Sequence, residues 1–443
     1  MNHDKPRREE EEQSSFFPWL LIVALLLPLI VMLLIPAGLY VAFGLWVAML
    51  IIAVAFWLFL KGQAATVAAL EEPEVRMLYP EEQTEVVRDI MRVRLATEEA
   101  GVQIYRGHLL EDPARAYEKL KTAVADRFIP LLQQDERLGA SILLMPRALE
   151  DAADRPIRMW KHWLLFALTL GTTTWVGAAY QGVNVLESPL AFTAGLPYSL
   201  ALITILGVHE MGHYFAAKRH GMKVTPPYFI PVPFALGTFG AFIQMRSPPE
   251  HRKALFDVAV AGPLAGLVIA IPALLAGLRT SEAVAAPDGF IGSFFTSSFL
   301  LTLLAKFSLG DIVQDNTLLR LSPMAFAGWL GLLITALNLL PIGQLDGGHT
   351  ARAMFGHRTG TLISTIAMWT LLLLAIFVWP ALMIWALIVF IIARRGTPPL
   401  NDLTPVSPGR RLLGFVTFGI LAMILLPFPH GLWQTLQNAL FAN

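Results

Sequence analysis

The sequence predicts an all-α polytopic membrane protein of about nine spans, with a re-entrant β-hairpin and a small soluble α+β insert on the cytoplasmic side. Composition gives the first reason: 55% of the 443 residues are hydrophobic and 15% charged, with mean hydropathy +0.58. That is too apolar for a soluble chain of this length. Clustering gives the second, because the apolar residues gather in runs of spanning length. Charge gives the third. With the N-terminus in the cytoplasm, Lys61, Arg158, Lys161, Lys218, Arg219, Lys253, Arg352, Arg394 and Arg410 fall inside, whereas only Arg279, Lys306 and Arg320 fall outside.

Each element follows from its own stretch. Residues 1–15, "MNHDKPRREEEEQSS", are charged, low in complexity and expected to be disordered. Residues 16–61 read as a transmembrane hairpin turned at Pro36–Gly38, too long for a secretory signal. Residues 62–160 form the cytoplasmic α+β domain. There "EEPEVRMLYPEEQTEVVRDIMRVRL" has a helical pattern, "GVQIYRGHLL" reads as a strand, "DPARAYEKLKTAVADRFIPLL" as an amphipathic helix and "GASILLMP" as a second strand.

Residues 161–443 return to the membrane, with spans expected at 162–182, 195–217, 254–278, 323–341, 361–378, 380–394 and 411–428. The pair flanking Trp379–Pro380 also fits one kinked element. Segment 290–310 is placed on the outer interface, because its charges obey the sidedness rule only if it does not cross. The loop "RRGTPPLNDLTPVSPGRR" is kept out of helix by its prolines and anchored by its arginines.

Several chemistries are excluded at once. Zero formal net charge argues against a general nucleic-acid partner. The chain has no cysteine, so any metal must be held by His, Asp or Glu. The stretch "VHEMGH" (208–213) supplies such residues beside an apolar run. On a helix, His209 and His213 lie about 40° apart on one face, a spacing that suits two imidazoles on one tetrahedral zinc. Glu210 beside them can serve as general base toward a water on that zinc, which allows attack on an amide. A helix-end pair of interfacial histidines is the plainer reading, but an unpaired Glu at that depth is costly.

A third ligand is expected from "ALNLLPIGQLDGGH". Asp346 returns to the same membrane face; Pro341 ends the preceding helix, and Gly347–Gly348 let the backbone turn around the aspartate. His349 ranks below it as an alternative ligand, and an interfacial turn aspartate is the plainer reading.

"HEMGH" followed by "NLLPIGQLDGG" resembles the site-2 protease family of intramembrane zinc metalloproteases. "PPYFIPVPFALGTFGAFIQMRSP", "RKALFDVAVAGPLAG" and "MAFAGWLGLLITALN" resemble the subgroup of bacterial members and plant chloroplast gravitropism-and-greening proteases. The resemblance implies one zinc held by His209, His213 and Asp346, with Glu210 as catalytic base. Asn338 matches the family's motif asparagine, implying contact with substrate backbone or oxyanion; capping its helix is the equal alternative. No PDZ domain is visible between the two motif spans.

The segment 226–246 reads as an apolar hairpin whose turn is permitted by Gly237 and Gly240. It either offers an edge to an unwound substrate segment or packs helix ends as a structural re-entrant loop. Asp257 reads as interfacial, with a second acid near the zinc as the alternative; Gly262–Gly266 read as a helix contact and Gly171–Trp175 as packing. His108, His162, His251, His357 and His430 have no ligand spacing to neighbours.

The resulting expectation is an enzyme of regulated intramembrane proteolysis in a lipid bilayer, cutting a transmembrane protein such as an anti-sigma factor. A membrane ion or metal transporter and a non-catalytic membrane chaperone are the alternatives, although no internal repeat supports transport. The absence of a transit peptide points to a bacterial plasma membrane, with the N-terminus cytoplasmic.

Overall fold

The computed structural model describes residues 76–79, 84–135, 137–147, 156–285, 298–310, 317–377, 382–392 and 398–426. The expected disordered segment (1–15), transmembrane hairpin (16–61), start of the insert and first part of 290–310 lie outside these residues. Contacts divide the chain into two units, Met1–Pro73 with Leu371–Ile391, and Glu74–Thr370 with Ile392–Asn443. In the first, the described residues are helical throughout.

The second unit opens with a five-stranded antiparallel sheet in the order β1-β2-β3-β5-β4. Its strands are β1 (Arg76–Met77), β2 (Met91–Glu99), β3 (Val102–Leu109), β4 (Phe128–Asp135) and β5 (Gly139–Pro146). Helices α1 (Glu85–Ile90) and α2 (Pro113–Val124) pack on it. Asp112 caps α2 by accepting the amides of Ala114 and Arg115, with Pro113 in the first turn. The buried stripe Ala116, Tyr117, Leu120 and Val124 then meets Tyr105, Leu132, Ile142 and Leu144 of the sheet.

Two expectations fail here. The helical reading of the stretch before Leu95 holds only for the single turn and a half of α1, because "MRVRL" alternates apolar and arginine residues and becomes β2. The helix expected to run through "RFIPLL" stops at Val124. Pro130 has no amide for a helix, and the segment pairs instead with β5.

The remaining elements are mostly helical. They are α3 (Met159–Tyr180), α4 (Leu196–Arg219), α5 (Arg252–Leu278), α6 (Phe299–Leu309), α7 (Pro323–Leu339), α8 (Asp346–Phe377), α9 (Leu382–Ile392) and α10 (Pro408–Leu425). Between them lie the hairpin β6 (Tyr228–Pro231) with β7 (Thr238–Phe242), and the ladder β8 (Glu282–Ala285) with β9 (Thr317–Arg320). Four helical stretches among the described residues, Pro189–Arg219, α5, α8 and α10, are long and apolar enough to cross a membrane. Helices α6 and α7 are apolar but shorter. The tail of segment 290–310 is thus helical, with Ser298 capping α6.

Helices α4, α5 and α7 share one core, where Ile205 meets Leu267, Ala270 and Leu274 of α5 and Leu332 and Ala336 of α7. Small residues bring the axes close: Gly331 of α7 packs against Ala270 and Ile205. Helix α8 is broken at Gly356, whose φ of 86° interrupts it. The span expected at 361–378 is therefore the part of α8 beyond this kink, and a separate helical stretch begins at Asp346.

The proline-containing loop is non-helical over its described residues 398–407, as its prolines require, and it is tied to the rest of the fold. Asn401 is fully buried, and the Leu400 and Asn401 amides donate to the Pro249 and Glu250 carbonyls. The Leu132 amide of edge strand β4 donates to the Leu400 carbonyl, and the Asp402 amide donates back to Leu132. Residues 400–402 thereby cover the β4 edge and tie the sheet to the segment that enters α5.

Candidate active site

Helix α4 carries His209, Glu210 and His213, all buried. Lys218 and Arg219 occupy its last turn, where cations complement the helix dipole. The Nδ1 of His213 lies 2.8 Å from the Val258 carbonyl of α5 and donates to it. That bond leaves Nε2 unprotonated, the nitrogen that could ligate a metal. The two Nε2 atoms of His209 and His213 are 3.2 Å apart.

Asp346 opens α8 and completes the group: its Oδ2 lies 3.5 Å from His209 Nε2 and 3.3 Å from His213 Nε2. A tetrahedron with bonds of about 2.0–2.1 Å has edges of about 3.3–3.4 Å. Three donors at these separations fit the faces of one zinc.

The glycines after Asp346 work differently from the expectation. The left-handed turn is made earlier, by Gly343 at φ 50°. Gly347 instead allows close approach, since a Cβ there would sit 1.9 Å from the Leu339 carbonyl oxygen. The α8 start is thus pressed onto the end of α7, which brings Asp346 back to α4.

Helix α5 supplies what the sequence reading assigned to packing alone. Val258, Gly262 and Gly266 recur every four residues, matching the spacing of His209 and His213. A Cβ on Gly262 would lie 2.1 Å from His213 Nε2, and one on Gly266 3.1 Å from His209 Nδ1. The stretch is a flat wall against the imidazoles. Its signal was present in "GPLAG", but only the pairing of α5 with α4 shows what it faces.

The other singled-out residues separate. Asn338 Nδ2 is 3.4 Å from His209 Nε2, beside the group. Asp257 accepts from Arg410 at 2.7 Å and lies 2.9 Å from His220 Nε2, so its carboxylate is engaged there. His349 does not join the ligand group; it shares a recess with His213 and Asp346.

A second group, Glu118, Glu250 and His251, lies between α2 and the start of α5. Lys121 pairs with Glu250 there, supplying the positive charge that a metal would bring. Burial lowers the His251 pKa below the usual imidazole range.

The hairpin is seated on α3. Thr172 Oγ1 donates to the Gly237 carbonyl at 2.7 Å, and Tyr198 OH donates to the Leu236 carbonyl at 2.9 Å. Gly237 (φ 80°) faces the Thr173 backbone, whereas Gly240 (φ 98°) faces open space. The Ile243 backbone, just past β7, faces the Glu210 carboxyl. Phe239 and Phe242 of β7 are exposed.

Residues 197–379 match the model of peptidase family M50. The chain is similar to "Probable zinc metalloprotease EGY2, chloroplastic" of Oryza sativa subsp. indica, 31% identical over 75% of this chain and 62% of that protein. The Arabidopsis thaliana protein of the same name is 31% identical over 75% of this chain and 61% of its own length. "Probable zinc metalloprotease EGY1, chloroplastic" of Arabidopsis thaliana is 31% identical over 66% of this chain and 58% of that protein.

The chain spans about three fifths of the length of these curated relatives. No solved structure matches it. The matched residues include all of His209, Glu210, His213, Asn338 and Asp346. The resemblance to site-2 proteases and their plant subgroup therefore stands. The expected bacterial plasma membrane does not: these relatives are chloroplastic plant proteins and point to a chloroplast membrane. That expectation rested on where the sequence begins, which carries no such information.

Proposed function

We propose that the chain is an intramembrane zinc endopeptidase that hydrolyses peptide bonds in or beside transmembrane segments of membrane proteins. The observation that carries this reading is the tetrahedral spacing of His209, His213 and Asp346 with Glu210 one residue from the first ligand. The relatives' names, zinc metalloproteases of chloroplasts, support both the metal and a chloroplast membrane as its location. The substrate class that fits is a single-pass membrane regulator, of which an anti-sigma factor would be one kind.

His209, His213 and Asp346 would hold the zinc, which when bound polarises a carbonyl and lowers the pKa of a water to about 7. Glu210 takes the proton of the attacking water and passes it to the leaving amine. Asn338, beside His209, donates its amide to the carbonyl oxygen as charge develops there. The substrate helix unwinds locally, since a helical amide is shielded by its own hydrogen bonds, and the β7 edge pairs with the released strand.

The wider architecture belongs to the same proposal. About nine spans are expected in the whole chain, and the β6–β7 hairpin dips into the membrane against α3. Residues 62–160 are the soluble cytoplasmic α+β domain of this reading, and 161–443 the membrane-embedded peptidase domain.

The test uses purified protein in lipid and a panel of labelled transmembrane helices, with and without a zinc chelator. Glu210→Gln is expected to retain zinc and cut nothing that the parent cuts. Cleavage undiminished in Glu210→Gln would sink the base assignment. Zinc bound without cleavage of any helix by the parent would favour transport or scaffolding.

A further inference from the structure

Three helical segments begin around one guanidinium. Helix α5 starts at Arg252, α10 at Pro408, and α8 restarts beyond its break at Gly356. Their ends are packed together, since a Cβ on Gly414 of α10 would meet Met354 of α8 and Phe256 of α5. Each of the three helices is long and apolar enough to span, so the meeting point lies where spans end. Each helix start also carries partial positive charge.

Arg252 is 7% exposed at this point. Its Nε donates to the Ala353 carbonyl at 2.8 Å. That bond aims the rest of the guanidinium at Gly356, where a Cβ would lie 3.6 Å from Nη1 and 3.8 Å from Nη2. Among the described residues, neither Nη has a hydrogen-bond partner. The charges that act on Arg252 are Asp402, Arg411 and Arg352. Asp402 is the one acid of the three, and its Oδ2 is paired with Arg352. No carboxylate among the described residues lies within ion-pair distance of Arg252 or Arg411, whereas Arg410 is paired with Asp257. Buried donors left without acceptors are costly, and this cluster lacks an anion.

The adjoining surface is apolar. Phe355, Leu412, Phe415 and Val416 are exposed, and the rings of Phe355 and Phe415 lie 6.1 Å apart. We propose that Arg252, Arg411 and the helix start beyond Gly356 bind the phosphate of an anionic lipid headgroup, whose acyl chains lie along Phe355 and α10. The Arg252 fork fits two oxygens of one phosphate, and a helix start offers free amides. A choline headgroup carries the same phosphate, but its ammonium would face Arg411 and the exposed Lys253. Free phosphate gains nothing from the apolar surface. The site does not depend on the peptidase reading.

The test exchanges phosphatidylglycerol and phosphatidylcholine onto the full chain in micelles and counts bound lipid by native mass spectrometry. Salt is held at about 0.5 M, where diffuse attraction between exposed charges is screened. The parent is expected to hold phosphatidylglycerol about tenfold more tightly than phosphatidylcholine. Arg252→Gln is expected to remove about tenfold of the phosphatidylglycerol affinity, the usual effect of losing hydrogen bonds to a charged group. Arg411→Gln, at an exposed position where folding is not at stake, is expected to remove about fivefold. Lys253→Gln, on the same turn of α5 but outside the cluster, is expected to change nothing. Equal retention of the two lipids by the parent overturns the site. So does an Arg411→Gln loss that Lys253→Gln matches, which would mean a diffuse surface field. Inorganic phosphate is expected not to displace phosphatidylglycerol at equal concentration; displacement there would make the ligand a soluble anion and overturn the lipid.

Discussion

Gly262 shapes the proposed metal site through what it lacks. A methyl group there would meet His213 Nε2 at 2.1 Å, and the ring cannot swing aside without breaking its bond to the Val258 carbonyl. Gly262→Ala is expected to lose most of its bound zinc, whereas Gly171→Ala, with open space around it, keeps it. Metal content per chain by mass spectrometry decides, and equal zinc in the two variants would refute the assignment. Asn338 admits a sharper split. If its amide serves the carbonyl oxygen, Asn338→Leu lowers kcat on the order of 10²–10³ with zinc retained. If the amide instead orients His209, the same variant loses zinc; steady-state kinetics with metal analysis separate the two. The grouping of His209 and His213 was legible from their helical offset, and that of Asp346 with them from a turn that returns the chain to the same face. Gly262 and Gly266 were not, since a glycine's role depends on what another helix brings against it.

At the scale of elements, the two hairpin glycines make a controlled pair. Both have positive φ, at 80° for Gly237 and 98° for Gly240, so alanine strains the backbone at either. Only at Gly237 would the new Cβ also strike α3, 2.6 Å from Thr173 Cα. Gly237→Ala is therefore expected to cost about 1–3 kcal/mol more than Gly240→Ala, the usual range for overpacking. Thermal unfolding of both variants in one detergent tests this, and equal losses would show that α3 does not seat the hairpin. The hairpin itself was legible, because apolar runs flank a glycine-containing turn. The first turn of α8 was not: "DGG" has the composition of a turn, and only the press of Gly347 onto the Leu339 carbonyl makes it helix. Strand β2 was misread for a related reason. Its alternation of Met91, Val93 and Leu95 with arginines is the strand period, obscured by the charged residues around it.

Across the whole second unit, the insert sheet is joined to the membrane helices by residues 400–402. Asp402 is the pivot. Its side chain is 5% exposed and pairs at 3.2 Å with Arg352 of α8, whose side chain is 16% exposed. Arg352 lies six residues beyond Asp346 on the same helix, while Arg252 at the head of α5 donates to the Ala353 carbonyl at 2.8 Å. The sequence could not show this tie, because its partners are separated by long stretches of chain. Removing one partner of a buried ion pair strands the other, at about 3–5 kcal/mol. Asp402→Ala is expected to release residues 400–402 from β4 and from the entry to α5 before any membrane helix unfolds. Hydrogen exchange reads the difference: the Leu132 and Asn401 amides, bonded to Leu400 and Glu250, should lose protection, while those of α7 keep theirs. Double replacement of Arg352 and Asp402 by Met and Leu should restore much of that protection, since well-packed apolar residues often substitute for a buried pair without loss. Loss of protection spread evenly through α5, α7 and β4 would instead mean that sheet and helices unfold as one body, with no hinge at residues 400–402.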